Sequence, residues 1–214
     1  MIKIILADDH PLVREGVEKV LKNEDLHFEL RSVADSKELM NQLENELPDL
    51  LILDIAMPGK SGLDILKEVH QKYEELPVLM LSMHPEERFA VRTIKSGAYG
   101  YLNKRSVTEE LVQAVKTIVE KKKRYISESV AEQLALDINS DHLDAPHEKL
   151  SDREFQVMRN IAAGKKAKEI AEELNLSVRT IHTYRLRMME KMNLKSDVAI
   201  TRYAMAHHLI DDEP

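Results

Sequence analysis

Short apolar runs alternate with longer amphipathic stretches through the first two thirds of the chain. Residues 2–7, 50–53 and 78–81 are apolar with few or no polar interruptions. Such runs predict strands buried on both faces, as in a parallel sheet. Residues 28–33 and 99–102 are weaker strand candidates. Between the runs, apolar positions repeat at helical spacing. Leu12, Val13, Gly16, Val17, Val20 and Leu21 share one predicted face; Leu39, Leu43 and Leu47 share another. Leu63, Leu66 and Val69-His70 repeat the pattern, as do Phe89, the Arg92 stem and Thr93, then Leu111, Val115, Ile118 and Val119. Strand and helix alternate five times, which predicts an α/β doubly wound domain with a parallel five-stranded sheet. Ligands in such sheets bind beyond the carboxyl ends of the strands, where the strand order switches.

From Leu150 onward the pattern is helical throughout. Ser151-Asp152-Arg153-Glu154 is a capping box, in which the hydroxyl and the glutamate each satisfy a free backbone N–H. Phe155, Met158, Ile161 and Ala162 follow on one face, and Gly164 ends that helix. Residues 167–174 predict a short helix with Ile170, Ala171 and Leu174 inward. Asn175-Leu176-Ser177 predicts a turn with Ser177 as the next N-cap. Residues 178–192 predict a longer helix, with Ile181, Tyr184 or Leu186, Met188, Met189 and Met192 as candidates for its buried side. Ser196 caps a last helix reaching about His207. The expectation is an all-α four-helix domain containing a helix-turn-helix. The segment 138–149 is polar, aperiodic and holds Pro146, so it predicts a linker. The predicted organisation is a first domain over 1–124, a linker over 125–149 with a helix at 127–138, the helical domain over 150–209, and an acidic tail over 210–214.

Charge sharpens this division. The 214 residues carry 31 Lys and Arg against 38 Asp and Glu, a net of −7, which by itself speaks against a polyanionic partner. Residues 1–147 hold 19 basic and 27 acidic side chains; residues 148–210 hold 12 and 8. The average therefore conceals an acidic front and a basic rear. The chain has no cysteine, which excludes disulfides, Cys-ligated zinc, iron–sulfur clusters and a thiol nucleophile. No apolar run approaches the roughly 20 residues of a membrane span, and the first apolar run is too short for a signal peptide. A cytoplasmic protein is expected.

The residues at the strand ends carry the chemistry. Asp8 and Asp9 follow the first strand, Asp54 ends the third, Ser82 ends the fourth and Lys104 follows the fifth. Three converging carboxylates repel unless a cation lies among them, and hard oxygen donors suit Mg²⁺. A lysine and a hydroxyl facing one carboxylate suit a site where that carboxylate accepts a phosphoryl group. Singly, each residue has a plainer explanation: Asp8-Asp9 before Pro11 as a helix cap, Asp54 as a loop residue, Lys104 as a solvated charge.

Taken in register, Leu6-Ala7-Asp8-Asp9-His10, Asp54-Ile55-Ala56-Met57-Pro58-Gly59-Lys60-Ser61-Gly62, Ser82 and 97–104 (Gly-Ala-Tyr-Gly-Tyr-Leu-Asn-Lys) resemble the receiver domain of bacterial two-component response regulators. The resemblance implies that Asp54 accepts a phosphoryl group from a phosphohistidine on a sensor histidine kinase. It implies that Asp9, Asp54 and the Ala56 carbonyl hold Mg²⁺, with Asp8 acting through water. Lys104 and Ser82 would contact the phosphoryl oxygens, and Tyr101 would rotate inward as an aromatic switch. Arg105 stands where many receivers have proline after the lysine. A cis bond there, usual in the family, would cost about 2.5–4 kcal/mol without proline, and the isomer stays open.

In the rear half, 167–171 (Ala-Lys-Glu-Ile-Ala), 176–181 (Leu-Ser-Val-Arg-Thr-Ile) and 192–194 (Met-Asn-Leu), opened by Leu150-Ser151-x-Arg153-Glu154, resemble the LuxR-type DNA-binding domain. Together the two halves resemble the NarL/FixJ class of response regulators. The resemblance, with the basic and hydrogen-bonding side chains present, implies double-stranded DNA contacts by Lys166, Lys168, Ser177, Arg179, Thr180, His182, Thr183, Tyr184, Arg185 and Arg187. Residues near the start of the longer helix would reach base edges while basic groups anchor to phosphates. His182 and Leu186 differ from members with lysines there, so base preference does not transfer. Val198, Tyr203 and Ala206 on the last helix are expected homodimer contacts. The adjacent His207 and His208 are expected at a solvated helix end.

The implied function is a DNA-binding transcription regulator activated by phosphorylation, not an enzyme beyond its own phosphoryl chemistry. Ala56 cannot orient an attacking water and Met83 narrows the approach, leaving His84 as the one nearby helper, so self-dephosphorylation is expected to be slow. Two other classes fit parts of the sequence. A Mg-dependent phosphohydrolase needs an acid/base Asp where Ala56 stands. A phosphorylation-controlled interaction or RNA-binding module would use the helical domain differently.

Overall fold

A computed structural model describes residues 1–22, 27–55, 57, 60–82, 86–104, 107–138, 145–174, 176–207 and 209–210. Ala56, Met83, His84, Arg105, Asn175, His208 and the tail 211–214 lie outside them, as does the side chain of Phe89. The chain forms two compact units, 1–138 and 139–214.

The first unit begins β1 (Ile2–Ala7), α1 (Pro11–Lys22), β2 (Phe28–Val33), α2 (Ser36–Asn45), β3 (Leu50–Asp54) and α3 (Gly62–Lys72). It continues β4 (Val78–Ser82), α4 (Glu86–Lys95), β5 (Gly100–Asn103), α5 (Val107–Val119) and α6 (Glu128–Ile138). The five strands are parallel in the order β2-β1-β3-β4-β5. Every residue of β3 and β4 is buried, which is why these strands read as unbroken apolar runs rather than alternating ones. Alternate residues Ile4, Leu6, Leu50, Ile52, Leu79 and Leu81 form one core with Val17 and Leu21 of α1 and Leu111, Val115 and Ile118 of α5. On the opposite face α3 packs against β3, burying Leu63, Leu66 and Val69.

Two predicted core positions lie outside it. Leu12 is 81% exposed, because it sits in the first turn of α1 and the packing is done by Val17 and Leu21, further along. Leu47 is 48% exposed; α2 ends at Asn45, Glu46 is extended, and Pro48 disfavours helix at the residue before it.

Part of the expected linker belongs to the first unit. Tyr125 bridges to Gly100 in parallel fashion, its N–H donating to the Tyr99 carbonyl at 2.7 Å and its hydroxyl to Glu110 Oε2 at 3.0 Å. This covers the exposed edge of β5, a position where unpaired strands invite association. After Tyr125, α6 packs on α4, with Val130 only 2% exposed.

The second unit holds a 3-10 turn at Pro146–Lys149, then α7 (Asp152–Ala162), α8 (Ala167–Glu173), α9 (Val178–Met192) and α10 (Asp197–Ala206). The capping box at Ser151 and Glu154 forms, Gly164 takes a positive φ of 79° beyond α7, and Ser177 and Ser196 cap α9 and α10. The unit starts earlier than the periodicity indicates. Ala145 and His147 are buried, and His147 Nδ1 lies 2.8 Å from the Tyr203 hydroxyl. A histidine in a polar stretch carries no apolar signal, so only the packing reveals it.

One close approach ties the loop after β3 to the sheet. The Gly62 N–H donates to the Ile55 carbonyl at 3.0 Å, and a Cβ on Gly62 would fall 2.1 Å from the Asp54 carbonyl oxygen. Gly62→Ala is therefore expected to lower the unfolding free energy of the first unit by about 1–3 kcal/mol, the usual range for overpacking. Urea unfolding followed against the second unit's transition measures it; an unchanged midpoint would refute the close approach.

Candidate functional site

The strand register brings the predicted pocket together. Ala7 pairs with Leu53, Asp54 with Leu81 and Ser82 with Asn103, so Asp8, Asp54, Ser82 and Lys104 emerge at one edge. The order β2-β1-β3 puts the switch point between β1 and β3, flanked by Asp8 and Asp54. Asp8 is fully buried, and Asp54 and Ser82 are 1% exposed. Lys104 Nζ reaches both carboxylates, 2.7 Å from Asp8 Oδ2 and 2.9 Å from Asp54 Oδ2, and the Lys104 N–H donates to the Ser82 carbonyl at 2.7 Å. Tyr101 is 2% exposed, so its ring already occupies the interior. The Ala56 carbonyl lies outside the described residues.

His10 joins this cluster without having been assigned a role from sequence. Its Nδ1 lies 2.7 Å from Asp9 Oδ1 and 3.2 Å from Asp8 Oδ1, and its backbone N–H donates to Asp8 Oδ1 at 2.8 Å. Arg14 adds a hydrogen bond to the Asp8 carbonyl at 2.7 Å. The signal for both was present, a histidine directly after the paired aspartates and an arginine one turn further on, but their direction depends on how α1 leaves the strand. Ligand atoms of Asp8, Asp9, His10 and Asp54 all fall within 4.8 Å of one another. Three carboxylates facing one lysine leave an acidic excess, and this donor set is compatible with Mg²⁺.

In the second unit α8, a turn and α9 form the predicted helix-turn-helix. Ile181, Met188 and Met192 face inward, whereas Leu186 is 65% exposed and Tyr184 half-buried, so Leu186 is no core residue. Arg179, His182, Thr183 and Arg187 are exposed along α9, as are Lys166 and Lys168 beside α8. Four predicted DNA contacts, Ser177, Thr180, Thr183 and Arg185, also make bonds within the domain. Ser177 caps α9 and its hydroxyl lies 2.7 Å from that of Thr180; Arg185 is held by Asp197 at 2.7 Å. Of the expected dimer contacts Val198 is 68% exposed and Ala206 is exposed. Tyr203 instead meets His147 and stacks on His207 with ring centroids 4.2 Å apart, so His207 is not a purely solvated end. Among the described residues no helix is long and apolar enough to cross a membrane.

A buried aspartate at the switch point of a doubly wound sheet, bridged by a lysine, with a buried serine at the end of the adjoining strand and a helix-turn-helix unit in the same chain, defines a receiver-type regulator. Residues 4–116 match the response regulator receiver domain, and residues 148–204 match the bacterial regulatory proteins of the luxR family. The chain belongs to the two-component response regulators of the NarL/FixJ class and is a transcription regulator of a two-component system. It is 33% identical to the response regulator UvrY of Escherichia coli K12 over 214 residues, spanning 100% of this chain and 98% of that protein. It is 35% identical to the response regulator GacA of Pseudomonas aeruginosa over 213 residues, 99% of each. Among solved structures it resembles a two-component response regulator RcsB–DNA complex at 27% identity and TM-score 0.59, covering 96% of this chain and 98% of that one. It also resembles RcsB of Salmonella enterica serovar Typhimurium bound to promoter rprA with the phosphomimetic BeF3⁻, at 25% identity and TM-score 0.61, covering 96% and 100%.

Glu154 links the cap of α7 to α9. Burial pushes its carboxyl up, but hydrogen bonds from Lys191 and Ser151 outweigh this and hold it below the ordinary 4.5; Lys191 Nζ lies 2.6 Å away. A depressed carboxylate contributes stability that is present above the unfolded-state value and is lost as pH falls through the folded one. Lys191→Met is expected to move the acid-unfolding midpoint of the second unit to higher pH in circular dichroism; an unchanged midpoint would show that the pair is not coupled to folding.

Proposed function

We propose that Asp54 is the phosphoacceptor of this regulator and that its phosphorylation by a sensor histidine kinase controls binding of double-stranded DNA by α9. The observation that carries this reading is the Lys104 ammonium, bridging Asp8 and Asp54 in a buried pocket. An Asp54 carboxylate oxygen attacks the phosphorus of the phosphohistidine; the P–N bond breaks and an acyl phosphate forms. Lys104 then has a choice of anions. The phosphoryl group brings about −1.5 to −2 charges, and a lysine that leaves Asp8 for the phosphoryl oxygens distinguishes the two states energetically, as a population shift requires. Ser82, beside Lys104 through the Ser82 carbonyl, supplies the hydroxyl that contacts the phosphoryl group, and Tyr101 is inside as that arrangement needs. Asp9, Asp54, the Ala56 carbonyl and, through water, Asp8 would hold Mg²⁺, which neutralises charge on the phosphoryl oxygens during transfer.

The exposed stripe of α9 and the flanking Lys166 and Lys168 form the DNA-binding surface. Dimerisation through Val198, Tyr203 and Ala206 of α10 would present two such helices to two half-sites about one helical turn or a multiple apart. The acidic first unit disfavours DNA nearby and so contributes restraint before activation. A cytoplasmic location follows from both partners. The Ala56 side chain has no acceptor to orient an attacking water, so the phosphoryl group is long-lived.

A random-duplex selection and gel shift, with and without Mg²⁺ and a small-molecule phosphodonor, tests the reading. Wild type is expected to take up phosphate and gain affinity, with a steep fall of binding with salt; Asp54→Ala is expected to do neither. Enrichment of RNA alone, or an Asp54→Ala protein that behaves like phosphorylated wild type, would overturn it. Separately, phosphorylated protein freed of donor is expected to keep its phosphoryl group for minutes or longer on a phosphate-affinity gel; loss within a few seconds would refute slow self-dephosphorylation.

A further inference from the structure

The outer face of α9 carries an apolar residue that neither the domain core nor phosphate binding uses. Leu186 is 65% exposed and lies four residues after His182 and three after Thr183, which places the three side by side on the helix surface. Its neighbours one turn away on α9 are His182, Thr183 and Glu190, all exposed, and the half-buried Met189; Arg179 and Arg187 are exposed elsewhere along the helix. A protein-docking patch needs several exposed apolar neighbours, and among these neighbours on α9 Met189 alone is apolar and it is half-buried. The basic residues that bound the stripe, Arg179 and Arg187 on α9 with Lys166 and Lys168 nearby in the helix-turn-helix, complement a polyanion instead.

We propose that Leu186 is a specificity residue that packs on the 5-methyl group of a thymine in each half-site. The inference rests on α9 being the DNA-reading helix. Leucine offers no donor or acceptor, so it discriminates by shape and apolar contact alone, and the thymine methyl is the apolar group that a base pair displays in the major groove. Thr183 strengthens the assignment. Its hydroxyl donates to the Arg179 carbonyl at 3.1 Å, which spends its proton on the helix backbone and leaves only its acceptor side toward a base edge. His182 and Arg179, one and two turns before Leu186, offer hydrogen-bond readout on the same stripe. A guanidinium or imidazole there selects purine edges, while Leu186 selects thymine further along the same groove.

The test uses full-length phosphorylated protein and the duplex obtained by random selection, with each thymine of a half-site replaced singly by dU, which lacks only the methyl. For wild type, one replacement per half-site is expected to weaken binding about three- to fivefold, the worth of one buried methyl. For Leu186→Ala, whose exposed site leaves the fold intact by circular dichroism, the same replacement is expected to have no effect, with an unchanged salt slope. If no replacement weakens wild type, or one weakens both proteins equally, the thymine assignment is overturned while DNA reading by α9 stands. If Leu186→Ala changes the sedimentation state and leaves base discrimination intact, Leu186 belongs to a protein interface and the assignment is overturned. If no duplex is enriched at all, the failure lies with the DNA-binding reading itself.

Discussion

Three carboxylates share the carboxyl edge of the sheet with one lysine, and this charge imbalance governs the first unit. Asp8 and Asp54 have almost no contact with solvent, so neither can be neutralised by water alone. Lys104 bridges both, and His10 leans on Asp9 and Asp8. Removing one charge of a buried pair leaves the other uncompensated, which costs far more than the pair contributes. A pocket balanced in this way responds strongly to any added charge. The lysine that holds the resting state is the group through which an incoming anion would be felt.

The fold delivers these charges by backbone geometry rather than by side-chain reach. Parallel pairing places the ends of β1, β3, β4 and β5 level, and each strand contributes its terminal or following residue to the same edge. Gly62 lets the start of α3 rest against the Asp54 carbonyl, a contact that any Cβ would block. At the other side of the unit, Tyr125 and α6 close the β5 edge and cover part of α4. The segment after the sheet is therefore in direct contact with elements adjoining Ser82 and Lys104, so a change in the pocket has a short physical path to the chain that leads into the second unit.

The second unit separates its own tasks by helix face. The inward side of α9 is held by Ile181, Met188 and Met192, and the helix is tied at its start by Ser177, at its middle by Arg185 to Asp197 and near its end by Lys191 to Glu154. Those ties use two of its basic side chains for positioning. What remains exposed on the outer side includes Arg179, His182, Thr183, Leu186, Arg187 and Glu190. Rigid support under such a stripe matters because base readout demands side chains held at fixed depth in the groove.

The alternation of strands and helices, the helix caps, the helix-turn-helix and the aspartates and lysine of the acidic pocket are legible in the sequence. Each of these rests on local chemistry: continuous apolar runs for doubly buried strands, Ser-x-x-Glu for a cap, charged residues at strand ends. Tertiary structure alone decided which members of a pattern are used. Leu12, Leu47 and Leu186 carry the same apolar signal as their buried neighbours, and only the position of the packing partner separates them. His147, Tyr125 and His10 carry no periodic signal at all, because their partners Tyr203, Tyr99 with Glu110, and the paired aspartates are brought to them by the path of the chain. Arg185 and Arg187 are alike as residues two apart on one helix; a single carboxylate, Asp197, commits one to structure and leaves the other exposed. Periodicity reports which face of an element is apolar, and long-range contact decides what that face, or the opposite one, is for.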